Sequence, residues 1–159
     1  MNKKLEDFKT VLKKGMIENF QRDGFITPIV FFFQNQPQIG MIPHQWLNTV
    51  EGKHEFAEYI RAKCTEPNVL ACGMIIEATG AKVDADTDAA KRLLNGEIKV
   101  SDLKQAQDII ALIFSTPEQE DLIAYYVDYD TKTVGGEFNA DDLKAGGGMF
   151  NDFFKWNKN

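Results

Sequence analysis

Residues 69–80, VLACGMIIEATG, are an apolar run carrying a single acid, Glu77. Such a run, bounded by EPN before it and TG within its end, reads as a buried strand over residues 68–78. A buried strand constrains everything around it: its backbone groups need ladder partners on both sides, and its side chains need cover. Alternation puts Ala71, Gly73, Ile75 and Glu77 on one face and Leu70, Cys72, Met74 and Ile76 on the other. The second face reads as core. The first is thin, with Ala71 and Gly73 leaving room for close approach, and Glu77 stands where the strand gives way to loop.

The covering elements are visible on either side. In residues 3–22, Leu5, Phe8, Leu12, Met16 and Phe20 recur at helical spacing with Val11 and Ile17 widening the stripe, and Gly24 suits a left-handed helix stop. FITPIVFFFQ and IGMIP, separated by NQPQ, read as a β-hairpin; Pro28 removes one donor, so the first strand is either an edge or meets its partner only beyond that residue. Phe56, Ala57, Ile60 and Cys64 mark a second helix over residues 51–64, stopped before Pro67. After an insertion over residues 79–108 with a short helix at 87–94, IIALIFS and DLIAYYVDYD flank TPEQE as a second hairpin, and TVGGEF adds a strand. The expected class is α+β: a mostly antiparallel sheet of about five or six strands, with helices packed on one face. Residues 1–145 make a single domain, and residues 146–159 a glycine joint followed by an aromatic C-terminal segment.

Composition narrows the functional classes. A formal net charge of -6 over 159 residues disfavours nucleic acid as a partner. Charge is uneven, however: residues 1–14 hold five lysines against two acids, while residues 116–142 hold eight acids against Lys132. A solvated surface is the commoner meaning of such runs, and steering of a charged partner the rarer one. Two cysteines, Cys64 and Cys72, make no disulfide framework and fit a reducing cytoplasm. Glu6, Asp7 and Lys9 interrupt the start where a signal peptide needs apolar residues, and ITPIVFFF is far short of the roughly 20 residues of a spanning helix. A membrane partner is not expected.

The candidate ligand-binding residues are Glu77, Trp46 and His44. Glu77 could serve as a general acid or base only with a second titratable group in reach, and His44, His54 and Asp84 are the options. His44 and Trp46 share IPHQWL, where a hairpin-packing aromatic and a solvated histidine are the plainer reading and a ligand pocket the sharper one. HEFAE at 54–58 offers one histidine and acids rather than a paired-histidine metal face. Asp84, Asp86 and Asp88 match the first ligands of a calcium loop, but Ala89 and Asn95 stand where its glycine and bidentate glutamate belong, so these acids read as N-cap and first-turn charge. No metal or cofactor pattern emerges, and nucleophilic catalysis by Cys64 or Cys72, both expected to be buried, is unsupported. Phe150, Phe153, Phe154 and Trp156 beyond the glycines either dock on their own domain or form an interface, with a homo-oligomer as one outcome.

The order of elements, from DGFITPIVFFF through NVLACGMIIEA and a long insertion to IIALIFSTPEQEDLIAYYVDYD, resembles small uncharacterised proteins encoded by bacteriophages and their bacterial hosts. That resemblance implies a compact α+β sheet with helices on one side and no assigned activity. A Glu-Ala pair after the central strand of such proteins keeps Glu77 under consideration. The expected function is that of a non-enzymatic cytoplasmic binding protein, phage-encoded if the resemblance holds, acting on a host protein or sequestering a small molecule. An assembly or virion structural component using the aromatic tail is the second reading, and a small hydrolase built on Glu77 the third.

Overall fold

The computed structural model describes residues 3–34, 38–41, 49–81, 83–84, 86–137 and 153–154. Helix α1 (Lys3–Asp23) leads into strands β1 (Ile29–Phe33) and β2 (Gln38–Met41). Helix α2 (Val50–Cys64) and strand β3 (Ala71–Gly80) follow. Helix α3 (Asp88–Leu94) and a 3-10 turn (Val100–Asp102) then precede β4 (Gln107–Ser115), β5 (Glu120–Asp128) and β6 (Thr133–Glu137). Among the described residues no helix is long and apolar enough to cross a membrane.

Local chemistry sets the boundaries. Gly24 at φ 78° ends α1, its N–H donating to the Phe20 carbonyl at 2.7 Å, a conformation that costs glycine little. Pro28 lacks an N–H, and ladder pairing of β1 starts at the next residue. Thr49 caps α2 by accepting the Gly52 N–H at 2.9 Å. On α3 the cap is Thr87, which accepts the Ala90 N–H at 3.3 Å, rather than one of the aspartates before it; Asp88 does supply first-turn charge.

The six strands run in the order β2-β1-β3-β4-β5-β6, and every neighbouring pair is antiparallel. The fold is therefore α+β, with β3 interior between β1 and β4. Both faces of β3 are core. Met16, Phe20, Leu12 and Leu5 of α1 pack with Ala71, Ile75, Ile110, Leu112, Phe114 and Tyr125. Phe56, Ile60 and Cys64 of α2 pack with Val30, Phe32, Cys72, Met74 and Ile113.

The two long helices thus lie on opposite faces of the sheet, where the sequence pattern suggested one. The reason is Gly73. On the face that reads as thin, a Cβ at this position would sit 2.6 Å from Leu12 Cδ1, so the missing side chain is the space that α1 occupies. Small residues there signal a close helix rather than an uncovered surface.

Phe153 and Phe154 are buried in the α2-side cluster, 1% and 3% exposed, which places this part of the aromatic segment inside its own domain's core. Phe150, Trp156 and the glycine joint lie outside the described residues.

Gly73→Ala forces a methyl against buried Leu12, and we expect it to cost about 1 kcal/mol after the gain in strand propensity. Leu12→Ala alone should cost ~2–5 kcal/mol by leaving a cavity. The double variant should cost at least ~0.5 kcal/mol less than the sum, because the two changes relieve one another; urea unfolding at constant m reads the difference.

Candidate functional site at the end of the central strand

Glu77 sits where β3 loses one of its two neighbours. The β1–β3 ladder begins at Ile29↔Ile75, so Glu77 lies beyond it, while on the other side it still pairs with Ile110 of β4. Continuing the β1 register would set Thr27 opposite Glu77, but residues 25–28 run as a connection and Pro28 blocks the ladder. The Glu77 side chain takes over. Its Oε1 accepts the backbone N–H of buried Ile26, and its Oε2 accepts the Tyr129 hydroxyl at 2.8 Å.

Tyr129 reaches this position because β5 ends at Asp128 and the chain turns sharply. Asp128 Oδ1 accepts the N–H groups of Asp130 at 2.9 Å and Thr131 at 3.2 Å, and Lys132 follows at φ 54°. The Lys132 stem lies over Gly24, where an added Cβ would meet it at 3.1 Å, and the Tyr129 ring packs at 5.6 Å between centroids on Phe20. One carboxylate thereby joins the end of β3 to the α1–β1 connection and to the β5–β6 turn. Burial, then the Glu77 carboxylate and Asp108, push the Tyr129 hydroxyl well above the usual tyrosine range, so it remains a donor at neutral pH.

This geometry suits holding more than proton transfer. Of the acid–base partners considered from sequence, Asp84 lines a shallow depression with Val83, Thr87, Ala89 and Gln105, a lining that does not include Glu77. His54 is exposed on α2. His44 and Trp46 lie outside the described residues. Cys72 is fully buried; burial, its hydrogen bond to Cys64 and the nearby Glu120 charge all raise its pKa well above the ordinary value, the reverse of what a thiolate nucleophile requires. Among the described residues, no three histidine, cysteine or carboxylate side chains are grouped as a metal ion would need.

The uneven charge of the two chain halves also has a structural destination. Lys9 Nζ bridges Asp121 at 3.0 Å and Glu6 at 3.3 Å, and Lys13 lies 3.8 Å from Glu137 and 5.8 Å over the Tyr125 ring. Burial works against the Lys9 charge, but its bonds to Asp121 and Glu6 outweigh that and raise its pKa. Ser115 donates to Glu120 at 2.6 Å, and Asp128 closes its own turn. The basic helix and the acidic hairpin therefore complement each other across the α1 face of the sheet.

Tyr129 and the Ile26 amide are the contributors that sequence reasoning misses. Nothing local marks them, because both contacts to Glu77 span about fifty residues; the one available hint is a tyrosine placed directly after a strand in YVDYD.

Glu77→Ala should destabilise the fold by about 2 kcal/mol, since it orphans a buried backbone N–H and a hydroxyl. Glu77→Gln keeps an acceptor for Ile26 and should cost less than half as much in the same urea titration. Tyr129 gives a separate pH signature. An unfolded tyrosine titrates near 10.0, and the folded group titrates higher, so its contribution is complete below that pH and is lost as pH rises above it. Below about pH 9.5 the wild-type and Tyr129→Phe unfolding midpoints should run parallel, and above about pH 10 those of the wild type should fall more steeply.

No family model matches this chain, and no curated protein and no solved structure matches it either, so its function is read from the site itself.

Proposed function

We propose that this protein is a non-enzymatic binding protein that engages a partner protein through the end of the molecule organised by Glu77. The observation that carries this reading is the placement of two exposed aromatic residues. Phe25 is 55% exposed and immediately precedes Ile26, while Tyr129 is 38% exposed; the shared bonds to Glu77 hold both at the same end of the sheet. Charged groups stand beside them: Arg22 is paired with Asp23 at 2.9 Å, and the Lys132 stem lies over Gly24. Rigid aromatic anchors with a polar rim that includes arginine are the composition typical of binding hot spots.

Fixed backbone supports the same reading. Tyr129 is held by its hydroxyl and by Phe20, and Phe25 lies between Gly24, whose N–H bonds the end of α1, and Ile26, whose N–H bonds Glu77. Little order remains to be imposed on the backbone when a partner docks, which lowers the cost of binding. A cytoplasmic location belongs to the same proposal, motivated by two cysteines that form no disulfide.

The test is a photo-crosslinking amino acid placed at position 25 and, as a control, at Val11, which is 66% exposed on α1. Position 25 should yield one discrete protein adduct in cells, and Phe25→Ser should reduce co-purification of that partner at least ~10-fold while leaving stability within ~0.5 kcal/mol. Equal adducts from both positions, or undiminished co-purification with Phe25→Ser, would overturn the assignment.

A further inference from the structure

The two cysteines stand eight positions apart in sequence and meet in the interior. Cys64 is the last residue of α2 and Cys72 the second of β3; both are 0% exposed, both belong to the cluster between α2 and the sheet, and their thiols hydrogen bond to one another.

The connection between them folds back tightly. The Thr65 N–H and hydroxyl bond the Ala62 carbonyl at 3.2 and 2.6 Å, and Glu66 N–H bonds Lys63 at 3.2 Å. Val69 N–H then bonds Glu66 at 3.1 Å, and Leu70 N–H bonds Phe33 at 2.8 Å, which delivers the chain into β3 directly under the helix end. Paired thiols at the junction of a helix end and a central strand are a geometry that packing alone does not require, since either position would be filled by alanine or valine.

We propose that Cys64 and Cys72 form a bridging-modification site: a dithiol that closes to an intramolecular disulfide under a small diazene or disulfide oxidant, fastening the C-terminal end of α2 to the central strand. Sulfurs already in hydrogen-bond contact need side-chain rotation and a short approach to reach the bonded separation of about 2.05 Å. In the reaction with a diazene, two S–H bonds break and one S–S bond forms. Both hydrogens and the two electrons pass to the N=N unit, which becomes a hydrazine. Thiolate attack starts the sequence. Burial and the Glu120 charge hold the Cys72 thiol protonated in the closed state, so closure proceeds through transient opening of the C-terminal end of α2 and the connection after it, where Thr65, Pro67 and Asn68 are already exposed. The bridge would then record exposure to oxidant without changing the surface that carries Phe25 and Tyr129.

The test uses the full chain in native buffer with diamide, followed by acid quenching, denaturation and N-ethylmaleimide. Because the chain holds only two cysteines, intact mass is decisive. The untreated protein should take two maleimides, whereas the treated protein should take none and be lighter by two hydrogens, with no dimer. Two maleimides after native treatment, a mixed adduct on one cysteine, or a bridge that forms only in denaturant strong enough to unfold the chain would each overturn the proposal.

Discussion

A single carboxylate closes the gap in pairing beside the end of the central strand. β1 cannot extend back past Ile29 because Pro28 offers no donor, so the end of β3 would lie beside an unpaired backbone N–H at Ile26. Glu77 supplies the missing acceptor from its side chain and, with its second oxygen, holds Tyr129 at the β5–β6 turn. Three segments far apart in sequence converge on it: the exit from α1, the end of the central strand, and the last hairpin.

Two further constraints depend on that convergence. α1 can lie close to β3 only because Gly73 has no side chain, and its last turn is held in place where Phe20 meets Tyr129 and Gly24 meets Lys132. Across the same face, Lys9 and Lys13 find Asp121 and Glu137. Partly exposed ion pairs of this kind contribute about 0.2–1 kcal/mol each. Their larger effect is on orientation, since they fix which side of α1 meets β5 and β6. The burial of Phe20, Met16 and Leu12 carries the stability, and charge selects the docking.

Much of this fold is legible in the order of residues. The α1 stripe, the stop at Gly24, the hairpins and the buried character of residues 69–78 all follow from periodicity and turn chemistry acting over short range. Three features escape such reading for a common reason. The face of β3 bearing Ala71 and Gly73 looks sparsely filled because sequence reports side-chain volume but not the helix that volume is reserved for. The basic start and acidic hairpin look like an external field because pairing over more than a hundred residues leaves no local mark. Glu77 looks like a catalytic candidate because an acid in an apolar strand demands an explanation, and its partners, a backbone amide and a tyrosine about fifty residues away on either side, are invisible until the chain is folded.

Hydrogen exchange at the Ile26 amide tests the role of Glu77 most directly. This N–H lies outside any strand or helix, and a carboxylate is its partner. The structure predicts that Ile26 is protected well beyond its loop neighbours in the wild type and that Glu77→Ala abolishes this protection while amides of β4 and β5 keep theirs. Protection at Ile26 that survives loss of the carboxylate would contradict the account and return Glu77 to the pool of side chains available for chemistry.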